Sequence, residues 1–322
     1  MKIRPSAFLS LLARLAVTAL AFGWALRLVD LSSLKTVLGA ASPPWLLAGT
    51  ALFFLSQLSG IARWRLLAPA HPSMTWPFLA DSFFVAQFFN IFLPSTIGGD
   101  AMRGYDLIKA TGEWKGSLAS ILMDRLTGFA GSACMATAAW ASFPPARQDP
   151  VVRTGFLVMW GVLAAAFAVL GSRRVLRAML RPFAKIGLGT LGSHAKQFQE
   201  AIRTYLRDPR KMLGALGWTG AGQLTWILTF GAVAKGLHLT VPLLYLILVV
   251  PIIMMVAQVP VSLNGWGVRE SATVLLMGRI GVPAAEALSL SLVCAAIPLL
   301  SGLAGAAMFI ARRLKKSRPA PA

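Results

Sequence analysis

LPSTIGGDAMR (Leu93 to Arg103) and VPVSLNGWGVRE (Val259 to Glu270) decide how this chain folds. In each stretch a proline stands nine residues before an arginine, Pro94 to Arg103 and Pro260 to Arg269. A glycine follows each proline by five residues, Gly99 and Gly265. Backbone broken by Gly and Pro beside charge is costly inside a bilayer unless it lines a polar cavity. A matched break in each half of a chain is the sequence pointer to the binding region of a transporter built from two repeats.

The surroundings of both stretches are strongly apolar. Of the 322 residues 57% are hydrophobic and 13% charged, with a mean hydropathy of +0.69. Soluble domains average about 25% charged residues, so the composition reads as an integral membrane protein with one membrane domain over 1–322 and no soluble catalytic domain. The basic start (Lys2, Arg4) leads into an apolar run without a small-residue cleavage site, which reads as a first helix rather than a removed signal. The net charge of +20 is concentrated in a few loops and the tail. That distribution fits the positive-inside rule and contact with an anionic leaflet rather than nucleic acid. Cys134 and Cys294 fall in apolar segments and are expected as free thiols packed among helices. The chain shows no metal-ligand spacing and no cofactor motif.

About 20 apolar residues are needed to cross a bilayer. Six runs qualify: 7–29, 44–62, 117–143, 151–170, 212–235 and 284–310. Two more, 77–93 and 241–260, lead directly into the paired stretches. Loop charge then orients the chain. The 171–211 segment, the tail and the 63–76 loop with Arg63 and Arg65 are basic and read as cytoplasmic, whereas 30–43 and 144–150 carry no net charge and read as external. Residues 104–116 are then cytoplasmic, so the first paired stretch enters and leaves on the inside. The second enters and leaves on the outside. This predicts an all-α polytopic membrane fold of six full transmembrane helices plus two opposed re-entrant hairpins. Residues 1–145 form one repeat and 151–322 its inverted copy. Eight plain crossings with coincidental prolines is the competing arrangement. Within 171–211, Val175, Leu176, Met179, Leu180 and Phe183 alternate with Arg173, Arg174, Arg177 and Arg181 at helical spacing. Such a helix either lies on an anionic membrane face or packs as a basic connector.

Chemistry concentrates at the paired stretches. Asp100 and Arg103, just after Gly98 and Gly99, share a helix face. Free N–H groups at that helix start favour an anion, and Arg103 could hold phosphate oxygens in bidentate fashion. Arg269 and Glu270 repeat the theme after Asn264, Gly265, Trp266 and Gly267. Each arginine could instead pair with its acidic neighbour or snorkel. Asp124 and Arg125 lie inside the third crossing and, being consecutive, point in different directions. Arg125 faces the cavity on one reading and locks to Asp100 on the other. Asn90, Gln87 and Gln223 are polar within apolar helices, and Gln223 is expected to bond a neighbouring helix. Arg27 is expected to snorkel, Arg14 has no assigned role, and Trp45, Trp76 and Trp114 are expected as interfacial anchors. Pro94 and Pro260 are candidate hinges. Metalloprotease, hydrolase and P-loop signatures are all missing, and His71, His194 and His238 fall in loops, so no enzyme activity is expected.

At these residues the chain resembles the lysylphosphatidylglycerol synthase transmembrane family, also called flippase-like or YbhN/AglD-type membrane proteins. The resemblance is carried by ARWRLL (Ala62 to Leu67), FFNIFLPSTIGGDAMRGY (Phe88 to Tyr105), DRLTG (Asp124 to Gly128) and VPVSLNGWGVRES (Val259 to Ser271). It implies a bacterial inner-membrane protein handling a lipid with an anionic head group. In the family's synthases this module is followed by a cytoplasmic aminoacyltransferase domain. Here the chain stops at Ala322, so synthase activity is not expected. Stand-alone members resemble translocators of phospholipids or polyisoprenyl-linked lipids. The expectation is therefore a lipid translocase with both termini cytoplasmic. Arg103 and Arg269 would grip phosphate, Arg125 would complete the groove, and Asp100, Asp124 and Glu270 would set the arginines. The alternative is a membrane subunit presenting lipid to a separate glycosyltransferase or aminoacyltransferase docked on 171–211.

Overall fold

The computed structural model describes residues 5–27, 31–92, 98–172, 200–258 and 262–317, and these fold into helices without a strand. The first half holds α1 (Pro5–Arg27), α2 (Leu31–Gly39), α3 (Pro43–Leu67), α4 (Trp76–Phe92), α5 (Gly98–Thr111), α6 (Trp114–Ser142) and α7 (Pro144–Gln148). The second holds α8 (Pro150–Gly171), α9 (Pro209–Gly236), α10 (Leu243–Gln258), α11 (Val268–Gly278) and α12 (Ala284–Ser317), with a helical stretch over 200–206 ahead of α9.

Local rules explain the helix starts. Asp149 precedes Pro150, and its carboxylate accepts from the N–H groups of Val151 and Val152. Asp208 precedes Pro209 and accepts from the Lys211 N–H. In both, aspartate satisfies orphan donors while proline occupies the first helical position, where no N–H is needed.

Pro43–Leu67, Pro150–Val169 and Ala284–Leu314 are long and apolar enough to span a membrane, and α1 with α2 forms a candidate span bent by 85°. At 29 and 28 residues, α6 and α9 have the length to cross, about 42 Å at 1.5 Å per residue. The protein is thus an all-helical, polytopic membrane protein. Its main core gathers residues of α6, α8, α9, α10, α11 and α12, among them Phe156, Phe230, Tyr245 and Leu288. Between helices in lipid, such interdigitation stabilises mainly through van der Waals contact.

The helices on either side of each paired stretch pack as a hairpin. Asn90, near the end of α4, accepts through Oδ1 from the Gly99 N–H at 2.9 Å, at the start of α5. At the other end of the same two helices, Asp81 and Asp106 bind one arginine, Arg312. As α5 advances its contacts on α4 recede, so the arms are antiparallel. The same order holds in the second pair: Gly265 abuts Ala257, while the Tyr245 hydroxyl donates to the Leu276 carbonyl at 2.6 Å. Arms of 17, 14, 16 and 11 residues are short beside the spans.

The aligned glycines make the same contact. A Cβ on Gly99 would collide with the Ala86 carbonyl oxygen, and one on Gly265 would lie 2.6 Å from that of Ala257. Each glycine therefore lets its turn close onto the preceding arm.

Several expectations need correction. Residues 30–43 contain the helix α2 rather than a plain loop, and 144–150 contain the short α7. The third expectation fails at 62, because α3 continues to Leu67 and places Arg63 and Arg65 inside a helix. A charge at the end of an apolar run reads as a loop, whereas Arg63 is paired with Asp124 within the helix bundle. Cys294 is buried as expected, but Cys134 is exposed, on an outward face of α6. The hinges Pro94 and Pro260, and 173–199 of the basic connector, lie outside the described residues.

Candidate functional site

The first hairpin tip delivers two charges to α6. Asp100 and Arg103 lie one turn apart on α5, 3.8 Å from each other. Asp124 and Arg125, consecutive on α6, are separated by about 100° around the helix and so serve different partners. Asp124 accepts from Arg63 Nε at 2.6 Å and from an Arg103 terminal nitrogen at 2.9 Å. Arg125 donates through Nε to Asp100 and through a terminal nitrogen to Gln258 Oε1 at 3.0 Å. Arg125 thus both lines the cavity and is tied to Asp100.

Arg103 is held on three sides. Its guanidinium lies 4.0 Å from the ring centre of the buried Trp64 and 5.7 Å from that of Phe83. Arginine suits such a slot because its flat, weakly hydrated head stacks on rings while its edge bonds carboxylate. With 6% of its surface exposed, Arg103 is the most enclosed of the cavity arginines. The side chains of Arg63 and Arg125 are 17% and 31% exposed. Arg63 also donates to the Thr219 hydroxyl at 3.3 Å.

These groups wall a cavity of about 310 Å³ between the first hairpin, α3, α6, α9 and the α10 arm of the second hairpin. Three guanidiniums (Arg63, Arg103, Arg125) and two carboxylates (Asp100, Asp124) line it, an excess of one positive charge. Met254 and Met255 from α10, with Trp226, give it an apolar side. A neighbouring chamber of about 280 Å³ shares Arg63, Phe83, Gln87, Gln223 and Trp226. Gln87 donates to Gln57 at 3.2 Å. Gln223, expected to bond a neighbouring helix, instead lines both chambers.

The second tip is built differently. Asn264, Gly265 and Gly267 have φ of 51°, 77° and 80°, the left-handed region that turn-forming Asn and Gly tolerate. The fully buried Glu270 accepts from the Gly267 N–H at 2.6 Å and from Arg269 at 2.9 and 2.6 Å. Arg269 also lies 4.7 Å from the Trp266 ring centre. This tip is docked on α1: Leu263 donates its N–H to the Thr18 hydroxyl at 2.8 Å, and the Ser271 hydroxyl donates to the Ala21 carbonyl at 2.9 Å.

The structure therefore brings Asn90, Asp100, Arg103, Asp124 and Arg125 to one cavity, with Gly98 and Gly99 opening the helix that carries two of them. Arg269, Glu270, Asn264, Gly265 and Gly267 form the second tip and do not line that cavity. Sequence reasoning missed Arg63 and Gln258. The signal for Arg63 was its place in ARWRLL, directly after an apolar run; Gln258 ends the apolar helix entering the second turn.

Neither a curated protein nor a solved structure matches the chain. Residues 11–305 match the family described as the lysylphosphatidylglycerol synthase TM region, a span that takes in both hairpins and every cavity residue named above. On that match, covering most of its length, the chain belongs to the lysylphosphatidylglycerol synthase transmembrane family.

Proposed function

We propose that this protein moves a lipid with an anionic, phosphate-bearing head group between leaflets of the bacterial inner membrane, with both termini cytoplasmic. The observation carrying the proposal is the excess positive charge of a cavity set between the first hairpin and the α10 arm of the second. A net positive charge within a membrane domain is costly, and an anionic guest offsets that cost. Arg125 and Arg63, the more exposed arginines, would meet the phosphate oxygens. Arg103, clamped by Asp124 and Trp64, positions Asp124 rather than gripping lipid. The apolar side from Met254, Met255 and Trp226 suits the glycerol or isoprenyl stem. Arg269 and Glu270 satisfy each other and set the second tip.

Proteoliposomes carrying fluorescent phosphatidylglycerol and a fluorescent polyisoprenyl phosphate test this. Wild-type protein is expected to translocate at least one of them, and Arg125→Ala to lose that activity at equal reconstitution. Movement of neither lipid by the wild type would overturn the proposal.

A further inference from the structure

A second charged groove lies on the outer side of the first hairpin and shares no residue with the central cavity. It measures about 970 Å³ and is bounded by both hairpin arms and the end of α12. At the open end of the hairpin, Arg312 donates to Asp106 at 2.9 and 3.2 Å and to Asp81 at 2.6 Å, fastening both arms to α12. These three groups sum to one negative charge, and Lys109 with Arg313 bring the groove to one net positive charge. Lys109 and Arg313, both exposed on the same rim, are bonded to no carboxylate among the described residues.

Toward the hairpin tip the groove becomes apolar, lined by Phe89, Met102 and Phe309. The rings of Phe89 and Phe309 meet edge to face at 5.3 Å. From Asp81 to Phe89 along α4 is eight residues, about 12 Å at 1.5 Å per residue. The charges gather at one end and Phe89 and Met102 at the other, with Phe309 between them, its ring centre 5.3 Å from the Arg313 guanidinium, and the axis follows a helix of the membrane domain. The charged end adjoins the basic tail, which loop charge assigns to the cytoplasm.

We infer that this groove is a lateral site for an anionic phospholipid of the cytoplasmic leaflet. Its phosphate rests on Lys109 and Arg313, and an acyl chain lies along Phe89 and Phe309. The charge complementarity selects an anionic lipid over a zwitterionic one. The length and apolar floor select a lipid over a free phosphate. The inference does not depend on the translocation reading, because a lipid can occupy this groove whether or not the central cavity transports.

Native mass spectrometry of the detergent-solubilised full chain, titrated with phosphatidylglycerol or phosphatidylcholine, tests it. The titration is run in both wild-type and Arg125→Ala backgrounds, so that lipid in the central cavity is counted separately. Basic residues near an anionic surface contribute about fivefold in affinity each, so Lys109→Ala/Arg313→Ala is expected to weaken one phosphatidylglycerol site about 30-fold. Phosphatidylcholine retention should not change, and Lys109→Arg/Arg313→Lys should retain the site. Unchanged phosphatidylglycerol affinity in the alanine pair would overturn the inference. So would displacement of the lipid by glycerol 3-phosphate at equal concentration, which would show that the site reads phosphate without the chain.

Discussion

Arg125 reaches Gln258 across 133 positions of sequence, and the 3.0 Å hydrogen bond joins the two hairpins. The same guanidinium holds Asp100 at the first tip. One side chain on α6 thus contacts the end of α10 and the start of α5, and any motion that separates the tips must break one of these bonds. A head group that competes for Arg125 would loosen the link between the tips, which couples binding to rearrangement.

Asp124 carries the largest structural consequence. It balances Arg63 and Arg103, and both remain buried or half-buried when it is removed. Asp124→Ala should cost about 3–5 kcal/mol, the range for breaking a buried pair from one side. Removing an arginine as well, in Asp124→Ala/Arg103→Met, should recover part of the loss. Thermal melts in detergent read both, and additive losses would show that the pair is not coupled.

The link between the hairpins is measurable by a double-mutant cycle. Gln258→Ala and Arg125→Ala should show a coupling of about 1–2 kcal/mol, in the range of a hydrogen bond to a charged group. A coupling near zero would mean that the two side chains do not meet in the membrane.

The turn glycines should tolerate no side chain. Gly99→Ala meets the Ala86 carbonyl, and Gly265→Ala meets that of Ala257 at a φ of 77°. Each should lose about 1–3 kcal/mol through overpacking. Gly161→Ala, inside α8 with nothing within 4 Å, should instead gain up to about 1 kcal/mol from helix propensity. Melting temperatures of the three variants decide this, and a stabilising Gly99→Ala would contradict the close approach.

Acid should weaken the junction before α8. Burial alone would raise the Asp149 carboxyl, but donation from Arg279 and from the Val152 and Val151 N–H groups outweighs it and holds the carboxyl below its usual 3.8. In that interval the unfolded chain binds the proton that the folded one refuses, so stability rises with pH. Asp149's contribution is complete above the ordinary carboxylate value and is lost as pH falls through the lower folded value. Asp149→Asn keeps the helix cap but should flatten this acid limb of the melting curve. An unchanged acid limb in that variant would assign the pH dependence to other groups.

Spans and turns were legible because they depend on local composition: long apolar runs, and Gly and Pro breaks followed by charge. The helices α3, α8 and α12 start within a residue of the expected bounds. The cavity was legible only in part. Asp100, Arg103, Asp124 and Arg125 stood out as charges in apolar surroundings. Arg63 did not, because its partner Asp124 lies 61 positions away and a charge ending an apolar run reads as a loop. Arg103 and Arg269 occupy the same place in the two stretches yet have different partners. Arg103 finds Asp124 on α6, whereas Arg269 bonds the adjacent Glu270, and the motif itself carries no sign of that difference.

The central claim is that the cavity arginines receive an anionic head group. Its most direct test compares translocation of phosphatidylglycerol with that of phosphatidylcholine in proteoliposomes, using wild type, Arg63→Gln, Arg125→Gln and the exposed-site control Arg27→Gln. The account predicts faster movement of the anionic lipid by wild type and the control, with that preference lost in both cavity variants at matched protein content. A preference kept at the wild-type level in Arg63→Gln and Arg125→Gln would contradict it.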